Sequence, residues 1–549
     1  MGSHSTALSQ SSRVETLDGY LSLQAEDAPD APALADGDER LTYGRLEESA
    51  NRLARLLQDA GCRRGDRIGL LVSKSAGAIV AMQAALKAGC AYVPIDIASP
   101  APRVERILTA AEPRLLLTAR SATELVDDLL ERRALGSQVA IASVDADPVE
   151  GKHFRSAFTT SESDAFSGDA LPSAGTSPDD PAHILFTSGS TGVPKGVVIT
   201  HANVISFVNW AVAYFDIESS DRVSGHPPLH FDLSTFDIYG AFAAGAELHV
   251  VPSGLNLLPH KLAAFIADRE LTQWFSVPSI LAYLAKFDVV GQGAFPHLKR
   301  LLWCGEVMPT PALMYFMERL PHVRFTNLYG PTEATIASSY YTVPERPASE
   351  SEPIPIGSPC AGEELLVLNE QLEEVPRDEI GDLYIGGVGL SPGYWHDEEK
   401  TRAAFVEGPR SSEPRRIYRT GDLAHVGEDG LVYFHGRADS QIKSRGYRIE
   451  LGEIEVALNA LEPLQEAAVV AVDTDSFEGA TICCAYAPLS GREVKQDEVA
   501  DRLREALPSY MIPTRWKMFD ALPKNVNGKI DRAGLKTTFV READAGERE

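Results

Sequence analysis

Apolar positions in the first part of the chain switch between two periods. Leu46, Ala50, Leu53 and Leu57 recur at helical spacing, and Gly61 and Gly65-Asp66 break the pattern before an apolar run at 68–72. An Ala-rich helix over 76–88, a strand over 91–95, a helix after Pro102 and a strand over 114–118 continue the rhythm. Strands alternating with helices in this way predict a sheet with crossover helices on its faces. Between about 145 and 180 the sequence turns rich in Ser, Asp, Gly and Pro, and apolar patterning resumes at His183, so the stretch reads as a surface loop.

Farther along, Gly-punctuated strand signals at 381–387 and 430–436 precede a boundary near 437–440. Beyond it, helices at about 450–461 and 497–507 are separated by strand-like runs at 467–472 and 481–487. At 549 residues the chain is too long for one core. The fold class expected is α/β. A large multi-subdomain N-terminal domain (14–438) holds β-sheets flanked by helices and a small β-barrel-like part, and a small α+β C-terminal domain (439–540) follows.

Composition narrows the function. The chain is 44% hydrophobic and 23% charged, an ordinary globular mixture. A formal net charge of -27 repels phosphate backbones, so nucleic acid and anionic membrane surfaces are excluded as partners. An acidic protein partner would need a local basic patch, for which Arg415, Arg416 and Arg419, or Lys443, Arg445 and Arg448, are the candidates, though either set also reads as a solvated face. Six scattered cysteines form no C-x-x-C pair and suggest reduced thiols rather than zinc. The polar stretch 1–13 lacks a signal-peptide core, and no apolar run approaches the roughly 20 residues of a membrane span, so a cytoplasmic location is expected.

The strongest chemical signal is FTSGSTGVPKGVVITHANV at 186–204. A short strand (183–186) enters a loop of hydroxyl and glycine residues, and a helix-like segment follows from Ala202. Thr187, Ser188, Gly189, Ser190, Thr191 and Gly192 offer hydroxyls and close-approaching amides to phosphate oxygens, and Lys195 adds charge. It is not the G-x-x-x-x-G-K-[ST] loop, because Pro194 stands five residues after Gly189.

This run resembles the phosphate loop of the adenylate-forming superfamily of acyl-CoA synthetases, luciferases and peptide-synthetase adenylation domains. Other stretches follow in that family's order: LKAGCAYVPID (86–96), NLYGPTEAT (327–335), GDLYIGGVGLSPGYW (381–395), YRTGDLA (418–424), GRADSQIKSRGYRIELGEIE (436–455), LPSYMIPT (507–514) and NVNGKIDR (525–532). The resemblance covers about 41–532 and implies ATP and Mg²⁺. Tyr329 would stack on adenine and Asn327 would contact its edge, beside Gly330. Thr332 would bind phosphate and Glu333 the metal, as suits a hard cation sharing its shell with phosphates. Asp422 would accept the ribose hydroxyls, with Arg437 beside ribose and phosphate. Lys529 would bridge the substrate carboxylate and the α-phosphate, placing a cation where negative charge accumulates. Asp439 matches the hinge aspartate of a mobile small domain. After rotation Lys529 would leave and 443–448, with Lys443, would line a phosphopantetheine tunnel. Thr187, Lys443 and Lys529 are the residues so implicated in the chemistry.

The run 231–237, FDLSTFD, resembles that of amino-acid activators. Asp232 would pair with the substrate ammonium, which an apolar pocket cannot hold alone; its other reading is a helix N-cap. Phe231, Leu233, Phe236, Ser276, Leu302, Cys304, Gly305, Leu328, Ile336 and Ala337 match the remaining pocket positions. Phe236, Leu302 and Leu328 take up volume and no charge faces the far end, which implies a small uncharged side chain. WCGEVMP (303–309) is similar to D-alanine:carrier-protein ligases, favouring alanine over glycine, serine or cysteine. The chain ends in a charged tail (542–549), so the implied partner is a separate acyl or peptidyl carrier protein with a phosphopantetheine arm, and the analogy is to polyketide and nonribosomal peptide pathways. The rivals are an acyl-CoA ligase for a small carboxylic acid, against which Asp232 argues, and a non-catalytic nucleotide sensor.

Overall fold

A computed structural model describes residues 14–135, 139–189, 192–409, 415–473, 480–489, 494–525 and 529–546. The apolar stripe Leu46, Ala50, Leu53 and Leu57 lies on the buried face of helix Tyr43–Asp59, whose first turn is capped by the Thr42 side chain. That helix, Ala76–Lys87, His201–Phe215 and Leu233–Ala244 contribute to one large core shared by two sheets.

In the seven-stranded sheet the strands Pro181–Thr187, Ala91–Pro94, Arg67–Leu71, Leu115–Thr118 and Ala140–Ser143 run parallel. Lys195–Thr200 and Gly393–Tyr394 close one edge antiparallel. In the nine-stranded sheet six parallel strands, from Arg324–Tyr329 through Arg300–Cys304, Gln273–Ser276, Arg222–Gly225 and Glu247–Val250 to Pro32–Asp36, are flanked by antiparallel edges. A five-stranded antiparallel sheet built on Gly381–Gly387 and Arg416–Val426 forms the half-barrel.

Beyond Arg437 a hairpin of Gln441–Ser444 and Tyr447–Glu450 leads into helix Leu451–Asn459 and a three-stranded sheet of Leu464–Asp473, Ala480–Pro488 and Arg515–Met518. Its two apolar clusters draw only on residues from Ile442 onward, so this part packs on itself.

Most predicted elements are present with ends shifted by a few residues. The departure falls at the phosphate loop. Lys195–Thr200, rich in β-branched residues, is a strand paired antiparallel with Pro181–Thr187, and helix His201–Phe215 follows it. The loop is therefore the tip of a hairpin, held by two paired strands instead of leading directly to a helix. All six cysteines are buried and unpaired. Among the described residues no helix is long and apolar enough to cross a membrane.

Candidate active site

The site forms where the ends of the two large sheets, the half-barrel and the C-terminal hairpin meet. At the phosphate-loop hairpin, Thr187 sits opposite Lys195 in register. Among the described residues the Thr187 hydroxyl is buried without a partner, while Ser188 Oγ donates to the Arg448 carbonyl at 2.7 Å. Ser190 and Thr191 lie outside the described residues. Lys195 Nζ stands 4.0 Å from Glu450 and over the Tyr394 ring at 5.3 Å. Burial, then the nearby Arg448 charge, pushes its ammonium pKa down.

Strand Arg324–Tyr329 delivers the next group. Asn327 Nδ2 donates to the Pro355 carbonyl at 2.9 Å. A Cβ at Gly330 would lie 2.5 Å from the Ala337 Cα, so only glycine lets the chain fold back there. The turn Thr332–Ala334 then leads into Thr335 and Ile336, both at positive φ (56° and 69°), an uncommon conformation for β-branched residues and one that clusters at functional sites. Glu333 is wholly buried: Oε1 accepts from Tyr394 OH at 2.8 Å, and Oε2 from Arg448 Nη1 at 2.6 Å. Burial alone would raise its carboxyl, but Arg448 and then Lys195 outweigh this and hold it down at about 2.

From the half-barrel, Asp422 accepts from Tyr329 OH and from Arg437 Nη1. Arg437 also clasps Asp439 with two bonds, Nε to Oδ1 at 2.8 Å and Nη2 to Oδ2 at 2.6 Å. One guanidinium thus joins the expected ribose carboxylate to the expected hinge.

Asp232 stands at the start of helix Leu233–Ala244, yet its side chain makes no capping bond. The carboxylate faces Thr332 and the Leu233 amide; burial, and then the Glu333 charge, pushes it up to about 6, partly offset by Thr332, the Leu233 amide and Lys443. Asp232 thus holds the N-cap position of that helix with its carboxylate still facing the site. Leu233, Phe236, Leu302, Cys304, Leu328, Ile336 and Ala337 are all buried in the same core cluster, with Phe236 edge-on to Phe207 and Phe275. Ser276 is not brought together with them. Alternation along Gln273–Ser276 puts Phe275 on that face, and the Ser276 hydroxyl accepts from Trp274 Nε1 on the other. Gly305 follows the strand end at Cys304, and Phe231 stacks edge-on against Tyr447 of the C-terminal hairpin.

That hairpin is docked into the site. Lys443 Nζ lies 5.5 Å over the Tyr329 ring, Arg448 reaches Glu333, and Arg103 and Glu453 form a buried ion pair behind them. Lys529, by contrast, lies on an exposed turn where its amide bonds the Asn525 side chain, and among the described residues no ion pair joins it to the site. Of the suggested basic patches, Arg416 and Arg419 are exposed, Arg416 lying over Phe405 and Arg419 3.9 Å from Asp382, Arg415 pairs with Glu364, and Lys443 and Arg448 point inward. Two residues were missed by the sequence reading. Tyr394, inside a quoted run, orients Glu333, and Glu306 bonds the hairpin tip. The charge of Glu306 at a strand end was the available signal.

A phosphate-type hairpin, a buried carboxylate among cations, and a small domain whose hairpin enters the site define an adenylate-forming fold. The chain belongs to the AMP-binding enzyme family, whose pattern matches residues 21–395, with the AMP-binding enzyme C-terminal domain matching 453–529. It is 37% identical to an L-proline--[L-prolyl-carrier protein] ligase of Streptomyces coelicolor, over 91% of this chain and 92% of that protein. It is 32% identical to tyrocidine synthase 1 of Brevibacillus parabrevis over 93% of this chain, yet spans only 44% of that synthase. The Vibrio cholerae adenylation domain AlmE, solved with glycyl-adenosine-5'-phosphate, superposes with a TM-score of 0.82 at 25% identity, covering 96% of this chain and 98% of AlmE.

Proposed function

We propose that this chain activates a small amino acid, alanine above glycine, serine or cysteine, as its aminoacyl-AMP and transfers it to the phosphopantetheine thiol of a carrier protein. The observation that carries this reading is Asp232. It is a buried carboxylate raised to about 6, at the head of a helix whose next residue, Leu233, belongs to the apolar cluster of the pocket, which is the setting a substrate ammonium would stabilise. The relative named for carrier-protein ligation supports the acceptor.

In the first half-reaction, Thr187 to Gly192 and Lys195 hold the ATP phosphates, and the unpartnered Thr187 hydroxyl fits an incoming phosphate oxygen. Tyr329, Asn327, Gly330 and Thr332 frame adenine and α-phosphate, and Asp422 with Arg437 takes the ribose. Glu333 would hold Mg²⁺ together with the phosphates, where the ion neutralises the pyrophosphate charge. A substrate carboxylate oxygen attacks the α-phosphorus, the bond to the bridging oxygen breaks, and pyrophosphate leaves. Lys529 brings positive charge to the oxygens that join.

In the second half-reaction the carrier thiolate attacks the aminoacyl carbonyl carbon and AMP leaves. The present arrangement, with Lys443 and Arg448 inside and Lys529 outside, suits this step. Rotation about Asp439 would exchange them, and a natural-product pathway is the setting this chemistry suits.

Pyrophosphate exchange with alanine, glycine, serine and cysteine against acetate, propionate and benzoate tests the reading. Exchange dependent on alanine is expected. Exchange only with acids lacking an amino group would replace it with an acyl ligase.

A further inference from the structure

Glu306 gives its two carboxylate oxygens to two main-chain amides. Oε2 accepts from Ser279 N at 3.0 Å and Oε1 from Gly446 N at 2.8 Å. The first amide belongs to the opening turn of helix Pro278–Lys286, whose free N–H groups favour an anion. The second belongs to the tip of the C-terminal hairpin, where Arg445 (φ 53°) and Gly446 (φ 82°) form the two-residue turn that suits strand twist. A Cβ at 446 would stand 2.7 Å from Val277 Cγ1, so the tip is seated between Val277 and Glu306.

We propose that Glu306 is a positioning residue for thiol transfer. It is the acceptor on the core that receives the hairpin tip and so sets Lys443 and Arg448 in the site. This rests on the two-step reading above. A backbone N–H only donates, so both contacts require acceptors. Glutamine supplies one acceptor oxygen and one NH₂, and cannot satisfy both amides. Glu306 is only half-buried. When the hairpin withdraws, Oε1 turns to water at little cost, so its contribution belongs to one pose only.

The test is Glu306→Gln, measured by pyrophosphate exchange and by single-turnover loading of the carrier from chemically made aminoacyl-adenylate. Exchange should stay within about twofold, and loading should slow by about tenfold or more, the size of a lost hydrogen bond to a charged group. Glu306→Asp keeps both acceptors on a shorter stem and should recover part of the loading rate. If glutamine leaves the chain unfolded, Glu306→Asp supplies the same ratio, with an expected loading loss of about threefold. Unchanged loading, or exchange falling as far as loading, overturns the proposal. The failures are separable: a wild-type chain that exchanges only acids without amino groups ends the amino-acid reading, while the ratio between the two steps still judges Glu306.

Discussion

The amino-acid pocket and the seam beneath the C-terminal hairpin lie side by side yet are built oppositely. Around the pocket Phe236, Leu302, Cys304, Leu328, Ile336 and Ala337 are apolar and belong to the largest core, and Asp232 stands beside them with Glu333 and Lys443 as its charged neighbours. At the seam ion pairs, Arg448 with Glu333 and Arg103 with Glu453 at 5% and 1% side-chain exposure, stand beside a few apolar touches, Phe231 on Tyr447 and Val277 at the hairpin tip. Apolar burial is lost wherever the surface opens to water, whereas separated ions regain hydration. An apolar wall therefore stays closed, and an ionic seam can part and re-form.

The Asp232 carboxylate is where the contrast breaks most sharply. Asp232→Ala leaves a bound ammonium unpaired, at a cost of about 3–5 kcal/mol, so kcat/KM for alanine in pyrophosphate exchange should fall on the order of a hundredfold or more. Near-normal kcat/KM would remove Asp232 as the anchor. Next in size is Lys529→Ala. If the seam opens so that Lys529 can enter, exchange should drop by roughly a hundred- to thousandfold, as for a lost electrostatic contact at the transition state. Loading from preformed adenylate should survive, because Lys529 stands outside the site in this arrangement. Equal losses in both assays would mean that one fixed pose serves both steps.

The two regions also differ in how far the sequence could be read. Pocket strands and their buried faces follow from local periodicity, and the buried pocket positions other than Ser276 fall in one cluster. Ser276 lies on the other face because strand alternation sets it with Trp274 and not with Phe275, a parity that the motif pattern alone does not carry. The phosphate hairpin was legible as chemistry but not as a strand pair, since the run at 197–199 is too short for periodicity to separate it from the helix that follows. At the seam, residues hundreds of positions apart form the contacts. Arg103 and Glu453 are 350 residues apart, and no local pattern connects them.

A gentler test of the pocket charge uses pH. With its carboxyl raised to about 6, Asp232 is ionised in the free protein above that value and protonated below it. Only the ionised form pairs with ammonium, so kcat/KM for alanine should fall about tenfold per pH unit as pH drops below about 6, with the inflection in kcat/KM because that quantity reports the free enzyme. A profile flat down to about pH 5 would count against the anchor. For the seam, Arg103→Met strips Glu453 of its partner. Because the domain can undock and let Glu453 hydrate, the cost should appear as slower loading, by about five- to tenfold, with little change in melting temperature. A large fall in melting temperature with unchanged loading would show that the pair holds the fold and not the pose.

The smallest effect tests whether the pocket selects by volume alone. Leu328 lies beside Cys304 in register, and Phe236 is wedged against Phe207 and Phe275, so both side chains are fixed and neither can swing aside for a longer substrate. Truncating Leu328 to alanine should let butyrine and valine in while weakening alanine only a few-fold, because a methyl group contributes about 1–3 kcal/mol in a fitted pocket and loses part of that in a loose one. Phe236→Ala should relax the same limit at a greater cost in stability, since its ring packs on two aromatic neighbours. The measurement is pyrophosphate exchange across alanine, butyrine and valine for each variant. If valine is still refused by both, bulk at these positions is not what limits the side chain, and a polar contact would have to replace it as the source of selectivity.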